Sequence, residues 1–203
     1  MAIYIEYVSR RAGTPLEAFH QIARRGQEGW ASAYPEDHLI LNVGRTWRLG
    51  AEPEYLCVWS TPGSGVERLG GWHAIFETEQ ADPIEKPFEA VARIDVAGWY
   101  QPLREPVRGT GPLYYGEFFE FAGGVTRDDV SEAFAERASA NALVINLLCD
   151  RIGRLGPDPR GVAIWQLPGY DRIHGIATEL DDVVEPIQLL RCGLYADLGQ
   201  EVL

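Results

Sequence analysis

The side chains best placed for chemistry are two glutamates set in aromatic runs, YIEYVS around Glu6 and YGEFFEF around Glu117, and the histidines His73 and His174. A carboxyl moved into an apolar interior holds its proton to higher pH, which suits it to general acid or base work. Imidazole is the side chain that titrates nearest neutrality, so a histidine in a cleft is a natural proton carrier. Glu6, Glu117, His73 and His174 are therefore the catalytic candidates. Of the other two histidines, His38 opens a strand-like run, and His20, four residues before Arg24, is expected to face solvent. Tyr4, Tyr7, Tyr115, Asn42, Asn146, Trp59 and Trp165 fall on strand-like runs near these groups, where they would orient a substrate. Arg191, in the last such run, is a candidate charge partner for a glutamate.

Other chemistries lack their signatures. No His-x-x-x-His, Cys-x-x-Cys or clustered carboxylate spacing occurs, so no metal site is expected. GTGP and PGSG are turn signals, since neither belongs to a GxGxxG or GK[ST] pattern after a strand. No nucleophile-elbow sequence supports Ser-His-Asp catalysis. The three cysteines, Cys57, Cys149 and Cys192, lie in apolar runs and read as buried reduced thiols of a cytoplasmic protein. With 30 acidic and 18 basic side chains the formal net charge is −12, which repels phosphate backbones and anionic membranes. No apolar run approaches the roughly 20 residues needed to span a bilayer, and the first residues do not read as a signal peptide.

The elements that would position these groups are written twice. RLGAEPEYLCVWSTPG begins at Arg48 and RLGPDPRGVAIWQLPG at Arg154, and self-similarity of this kind governs the fold. YIEYVSRRAGTPLEAF from Tyr4 parallels YGEFFEFAGGVTRDDV from Tyr115, each a strand, a glycine turn and a helix start. Thr14 with Glu17 and Thr126 with Asp129 have capping-box spacing, and Pro15 suits a first helical position. HLILNV matches ALVINL, placing Asn42 opposite Asn146. A second amphipathic helix is expected around 66–69 and 170–173, and EQADPIEKPFE is expected as a loop before the fourth strand. Each half thus spells β-α-β-β-α-β: residues 1–100, a Pro/Gly-rich linker at 101–112, and residues 113–203.

A four-stranded sheet with helices on one face must cover its other face, because buried apolar area stabilises by about 25 cal/mol per Å2. The expected fold is therefore α+β, with two ferredoxin-like βαββαβ repeats whose antiparallel sheets pack together as an intramolecular α/β-barrel, a monomer acting as a pseudo-dimer. Strand alternation sorts the side chains: the aliphatic sets are expected under the helices, and Glu6, Glu117, Asn42 and Asn146 in the barrel interior. A rival pocket between sheet and helices would use Tyr7, Trp59 and His73, or Phe118, Trp165 and His174.

The pattern resembles the dimeric α/β-barrel superfamily, and within it the NIPSNAP-like group. The likeness rests on Tyr4, Glu6, Gly44, Trp47, Leu49, Gly50, Trp59 and Arg68 in the first half. In the second half it rests on Tyr115, Glu117, Leu155, Gly156, Trp165 and Arg172; CDRIGRLG stands where the group has Gly-x-Trp. The resemblance implies a superfamily that includes cofactor-free monooxygenases, cyclases, isomerases, haem-degrading enzymes and proteins without activity. Three readings follow. One is an enzyme with no cofactor, using acid–base catalysis for a lyase, isomerase, cyclase or oxygenase reaction on a small hydrophobic, aromatic or polyketide-like molecule. The second is a ligand-binding or adaptor protein, and the third a haem protein with His73 or His174 as axial ligand. If one half keeps a pocket, the unequal placing of these histidines predicts that the other has lost it.

Overall fold

In the computed structural model, residues 1–45, 54–64, 82–152, 159–169, 172 and 186–198 are described, with only the backbone for 33, 82–86 and 96. The strands are β1 (Ala2–Arg10), β2 (His38–Arg45), β3 (Tyr55–Thr61), β4 (Ala92–Pro102), β5 (Leu113–Phe121), β6 (Val144–Arg151), β7 (Gly161–Leu167) and β8 (Ile187–Asp197). The helices are α1 (Leu16–Ala33), α2 (Asp82–Val91) and α3 (Arg127–Asn141). All strand pairs are antiparallel, and they close into one barrel in the order β1-β3-β2-β8-β5-β7-β6-β4. The first four strands run β4-β1-β3-β2 and the last four run β8-β5-β7-β6, the same order. The joints between them are β2 with β8 and β4 with β6.

The barrel is filled, as small barrels are. Ile3, Ile5, Leu41, Val43, Leu56, Val58, Val162 and Ile164 form one core with the rings of Tyr7, Tyr100, Tyr114, Phe118 and Tyr195. The Tyr7 and Tyr100 hydroxyls satisfy each other at 3.0 Å. This reverses the expected faces. The aliphatic sets point inward, while Tyr4, Cys57 and Trp59 pack outside the first sheet, and Phe119, Ala163 and Trp165 pack outside the second. Strand periodicity separates two faces but does not label them. An apolar barrel interior takes the aliphatic set, and the acids go where helices can supply partners.

The element boundaries also differ in places. The second capping box forms as expected: Asp129 Oδ2 accepts from the Thr126 N–H at 2.7 Å, and the Asp129 N–H donates to Thr126 Oγ1 at 3.2 Å. The first does not, because Pro15, extended at φ −59° and ψ 142°, is itself the cap residue and makes no side-chain cap. The segment expected as a loop before β4 is helical over Asp82–Val91. The RLG hairpin loops and the second amphipathic helices, Arg172 apart, lie outside the described residues.

The 101–112 segment does more than tether. β4 continues through Pro102, and the chain then crosses one end of the barrel. The Val107 N–H donates to Asn146 O at 2.9 Å, and the Gly109 N–H donates to Ile40 O at 3.2 Å. Both acceptors sit at register breaks, one in β2 and one in β6. Gly109 has no room for a side chain, since a Cβ there would lie 2.4 Å from both Leu41 Cδ2 and the Tyr114 hydroxyl.

Candidate functional site

The registers align the two halves residue by residue. Glu6 pairs with Cys57 and Glu117 with Ala163, while Tyr4 pairs with Trp59 and Tyr115 with Trp165. Each glutamate lies nine residues before its helix cap, Pro15 or Thr126. Eleven residues beyond those caps stand Gly26 in α1 and Arg137 in α3. That single difference gives the two glutamates different environments.

In the second half Glu117 is locked. Arg137 reaches down from α3 and donates through both terminal nitrogens, at 3.0 Å to Oε2 and 2.8 Å to Oε1. The Trp165 Nε1–H adds a 2.7 Å bond to Oε2. Both ionic side chains are almost fully buried, 2% exposed for Glu117 and 8% for Arg137. The guanidinium also lies over the Trp165 and Phe134 rings, at 5.1 and 5.7 Å. A buried carboxylate held by three charge-assisted bonds is a structural anchor, its charge already matched by the guanidinium. Arg191, the expected partner, points elsewhere: opposite Phe118 in the ladder, it lies over the Phe118 and Tyr7 rings at 4.9 and 5.9 Å.

In the first half no cation pairs with Glu6 among the described residues. Burial pushes its carboxyl up to about 7, opposed only by a hydrogen bond with Cys57. The Cys57 thiol is held well above its ordinary value, first by burial and then by the charge of Glu6. Gln27 donates to Cys57 Sγ at 3.8 Å, and Trp59 donates to the same sulfur. Tyr4 completes the group; burial and then Glu6 hold its hydroxyl far above the usual phenol range. Its ring lies 5.0 Å from Trp99. Cross-strand pairing continues the row from Glu6 through Cys57 to Asn42. Asn42 and Gln27 line a small cleft between α1 and the sheet, walled by Phe19 and Ala23.

The sequence candidates therefore separate. Tyr4, Glu6, Asn42 and Trp59 fall in this one layer, on the outer side of the first sheet. Tyr7 does not join them, since it points into the barrel. Tyr115 shares the outer face of the second sheet with Glu117 and Trp165. Asn42 and Asn146 are not equivalent. With Trp59 matched to Trp165, Asn42 corresponds to Leu148, and Asn146 corresponds to Ile40 at the register break. Asn146 bonds the linker instead, donating to Val107 O at 3.1 Å. His73 and His174 lie outside the described residues, and His38 is exposed. Sequence reasoning missed Cys57, Gln27 and Arg137. The signal for Arg137 was its place on the helix, eleven after the cap. Cys57 and Cys149 are buried as expected, but Cys192 is exposed, because its outer side of β8 lacks full cover.

No protein-family model and no curated protein sequence matches this chain. Solved structures do match it in shape. One assigned as a chlorite dismutase, TA0507, superposes with a TM-score of 0.61 over 98% of this chain and 94% of its own, at 10% identity. A substituted chlorite dismutase from Candidatus Nitrospira defluvii gives 0.61 over 98% and 91%, at 8% identity. A protein assigned as a monooxygenase from Lactobacillus acidophilus gives 0.51 over 97% and 91%, at 10% identity. The chain therefore shares the α+β, ferredoxin-like fold of these structures.

These likenesses correct the expectation of a protein without a cofactor, because chlorite dismutases are haem-binding proteins. The described residues do not form a haem cradle. The layer between α3 and the second sheet is filled by Phe119, Val130, Phe134 and Trp165, all fully buried, and the barrel interior is filled by tyrosines. No group of three or more His, Cys, Asp or Glu able to hold a metal ion occurs among the described residues. No described helix is long and apolar enough to cross a membrane.

Two variants check the contrast between the glutamates. Glu6 has a folded-state pKa above its unfolded value, so the folded protein holds a proton that the unfolded chain releases between pH 4.5 and about 7. The stability this contributes is complete at the acid end of that window and is lost as pH rises through 7. Relative to Glu6→Gln, the wild type should lose roughly 3 kcal/mol across the window. Parallel denaturant-midpoint curves for the two proteins would contradict this. Arg137→Ala strands a buried carboxylate and should cost about 3–5 kcal/mol at pH 7. A loss below 1 kcal/mol in urea unfolding would show that Glu117 does not depend on the pair.

Proposed function

We propose that this protein is an enzyme that moves a proton on a small aromatic or polyketide-like molecule, with Glu6 as the acid or base. The observation that carries the proposal is that, among the described residues, Glu6 has no cation like the one that neutralises its counterpart Glu117. A carboxyl with a pKa near 7 is about half ionised at neutral pH, so it accepts and returns a proton with little driving-force penalty. Tyr4, Trp59 and Trp99 pack with Cys57 into an apolar cluster beside Glu6, and Phe19 adds an aromatic wall to the cleft, which suits a hydrophobic substrate. Cys57 stands between Glu6 and the cleft, and Asn42 and Gln27 offer amides that orient a carbonyl or hydroxyl. A lyase, isomerase, cyclase or oxygenase reaction would each begin from such a proton transfer. The matching structures support an enzyme fold in general terms, a chlorite dismutase and a monooxygenase among them.

The same reading makes the chain a fused pair of ferredoxin-like units of NIPSNAP-like kind, residues 1–100 and 113–203, acting as a cytoplasmic pseudo-dimer. Its support is the shared strand order and the matching spacing from each glutamate to its helix cap. In a homodimer both sites would be alike. In one chain the second copy is free to convert its glutamate into a structural ion pair.

Proton transfer is measurable without knowing the full reaction. A panel of aryl ketones, β-diketones and arylacetic acids, incubated in D2O, should include compounds whose acidic C–H exchanges faster with enzyme present. Glu6→Gln should lower that exchange by about 100-fold, the size of a lost general base. Glu117→Gln should retain it per folded molecule. Exchange unchanged in Glu6→Gln, or no catalysed exchange across the panel, would overturn the proposal.

A further inference from the structure

The cleft beside Glu6 carries its own chemical preference. One wall is α1, which presents His20, Arg24 and Gln27 on successive turns, and Leu198 closes the side nearest β8. The His20 Nε2 atom is buried and has no hydrogen-bond partner. Its ring packs on Phe19, with centroids 5.6 Å apart. Arg24 is exposed at the rim and has no acidic partner among the described residues. Arg10 lies close enough, with Arg24, for both charges to act on His20; together with burial, the larger cause, they lower its proton affinity. Arg10 spends one terminal nitrogen on Thr14 O, and its backbone N–H goes to Glu54. The Arg10 Nε atom is itself buried and unpartnered.

A concentration of unneutralised cationic groups is unexpected on a chain of net charge −12. The Arg24 guanidinium and the His20 imidazole line the cleft, Arg10 acts on the same imidazole, and no carboxylate stands among the described lining residues. An unpaired buried donor is costly, and an acceptor on the ligand recovers that cost.

Resting on the acid–base reading of Glu6, the geometry points to a substrate that carries a carboxylate. The carboxylate accepts from Arg24 and from His20 in its Nε2–H tautomer, and its apolar body lies against Phe19, Ala23 and Leu198. Asn42 and Gln27 then face the middle of the molecule, with Cys57 and Glu6 one and two strands further in. A neutral isostere leaves the same donors unpaired, so the site discriminates by charge as well as shape.

Benzoate and benzamide are the probes, titrated into the whole protein by calorimetry and followed through the His20 ring signals by NMR. Benzoate should bind and move those signals, and benzamide should bind about tenfold more weakly or less, as expected for loss of a charge-assisted pair. Arg24→Gln should weaken benzoate about tenfold, and Arg24→Lys should recover part of the loss. Arg24 is exposed, so neither change threatens the fold. Glu6→Gln should leave benzoate affinity within about threefold. Equal binding of benzamide, unchanged benzoate affinity in Arg24→Gln, or no benzoate binding at millimolar concentration would each overturn the carboxylate. Because benzoate binding needs no proton transfer, such a failure with catalysed C–H exchange intact refutes only this inference. Loss of exchange from the wild type with benzoate binding intact refutes only the acid–base role.

Discussion

A carboxylate under a helix needs a cation, and among the described residues one reaches Glu117 and none reaches Glu6. The Glu117–Arg137 pair, capped by Trp165, ties β5, β7 and α3 into one block. Either charge alone would be expensive to bury, and the pair persists because each compensates the other through two hydrogen bonds, with a third from Trp165. At the corresponding place α1 has Gly26, so Glu6 meets no guanidinium among the described residues, and burial keeps its proton to about neutral pH. The two halves have the same strand order, but their outer layers are a structural lock and a reactive group.

That division depends on the barrel. Closing the two sheets edge to edge gives the interior to aliphatic and aromatic side chains, with the Arg191 guanidinium over the Phe118 and Tyr7 rings. The outer layers are then the places where a helix can either seal a glutamate or leave it open to a ligand. In the second half Val130, Phe134 and Arg137 seal it. In the first half Ala23 and Gly26 are small, and the space they leave beside Phe19 is the cleft. Side-chain size at two helical positions thus decides whether a pocket exists.

Much of this was legible before any coordinates. The doubled RLG stretches predicted paired hairpin strands ending in Trp59 and Trp165, and those strands occupy matching places in the barrel. The two glutamates stood out by their aromatic strands. Their direction was not legible, because a period of two marks alternate faces without saying which is inside. The pairing of Asn42 with Asn146 failed for a related reason. Each strand has a register break, after Leu39 in one and after Ile145 in the other, and the similar letters HLILNV and ALVINL fall differently around them. Arg137 was invisible because the helices were compared only at their caps. The contact that neutralises Glu117 comes three turns later, from a residue with no counterpart to draw attention to it.

The central claim is that Glu6, buried with no cation beside it among the described residues, is protonatable near neutral pH, and its own titration is the direct test. Carbon-13 labelling of the glutamate carboxyls, with Glu6→Gln to assign the signal, gives its midpoint in the unliganded protein. The account predicts a midpoint near 7 for the resonance lost in Glu6→Gln. A midpoint between about 4 and 5, the ordinary range for a solvated glutamate, would contradict it.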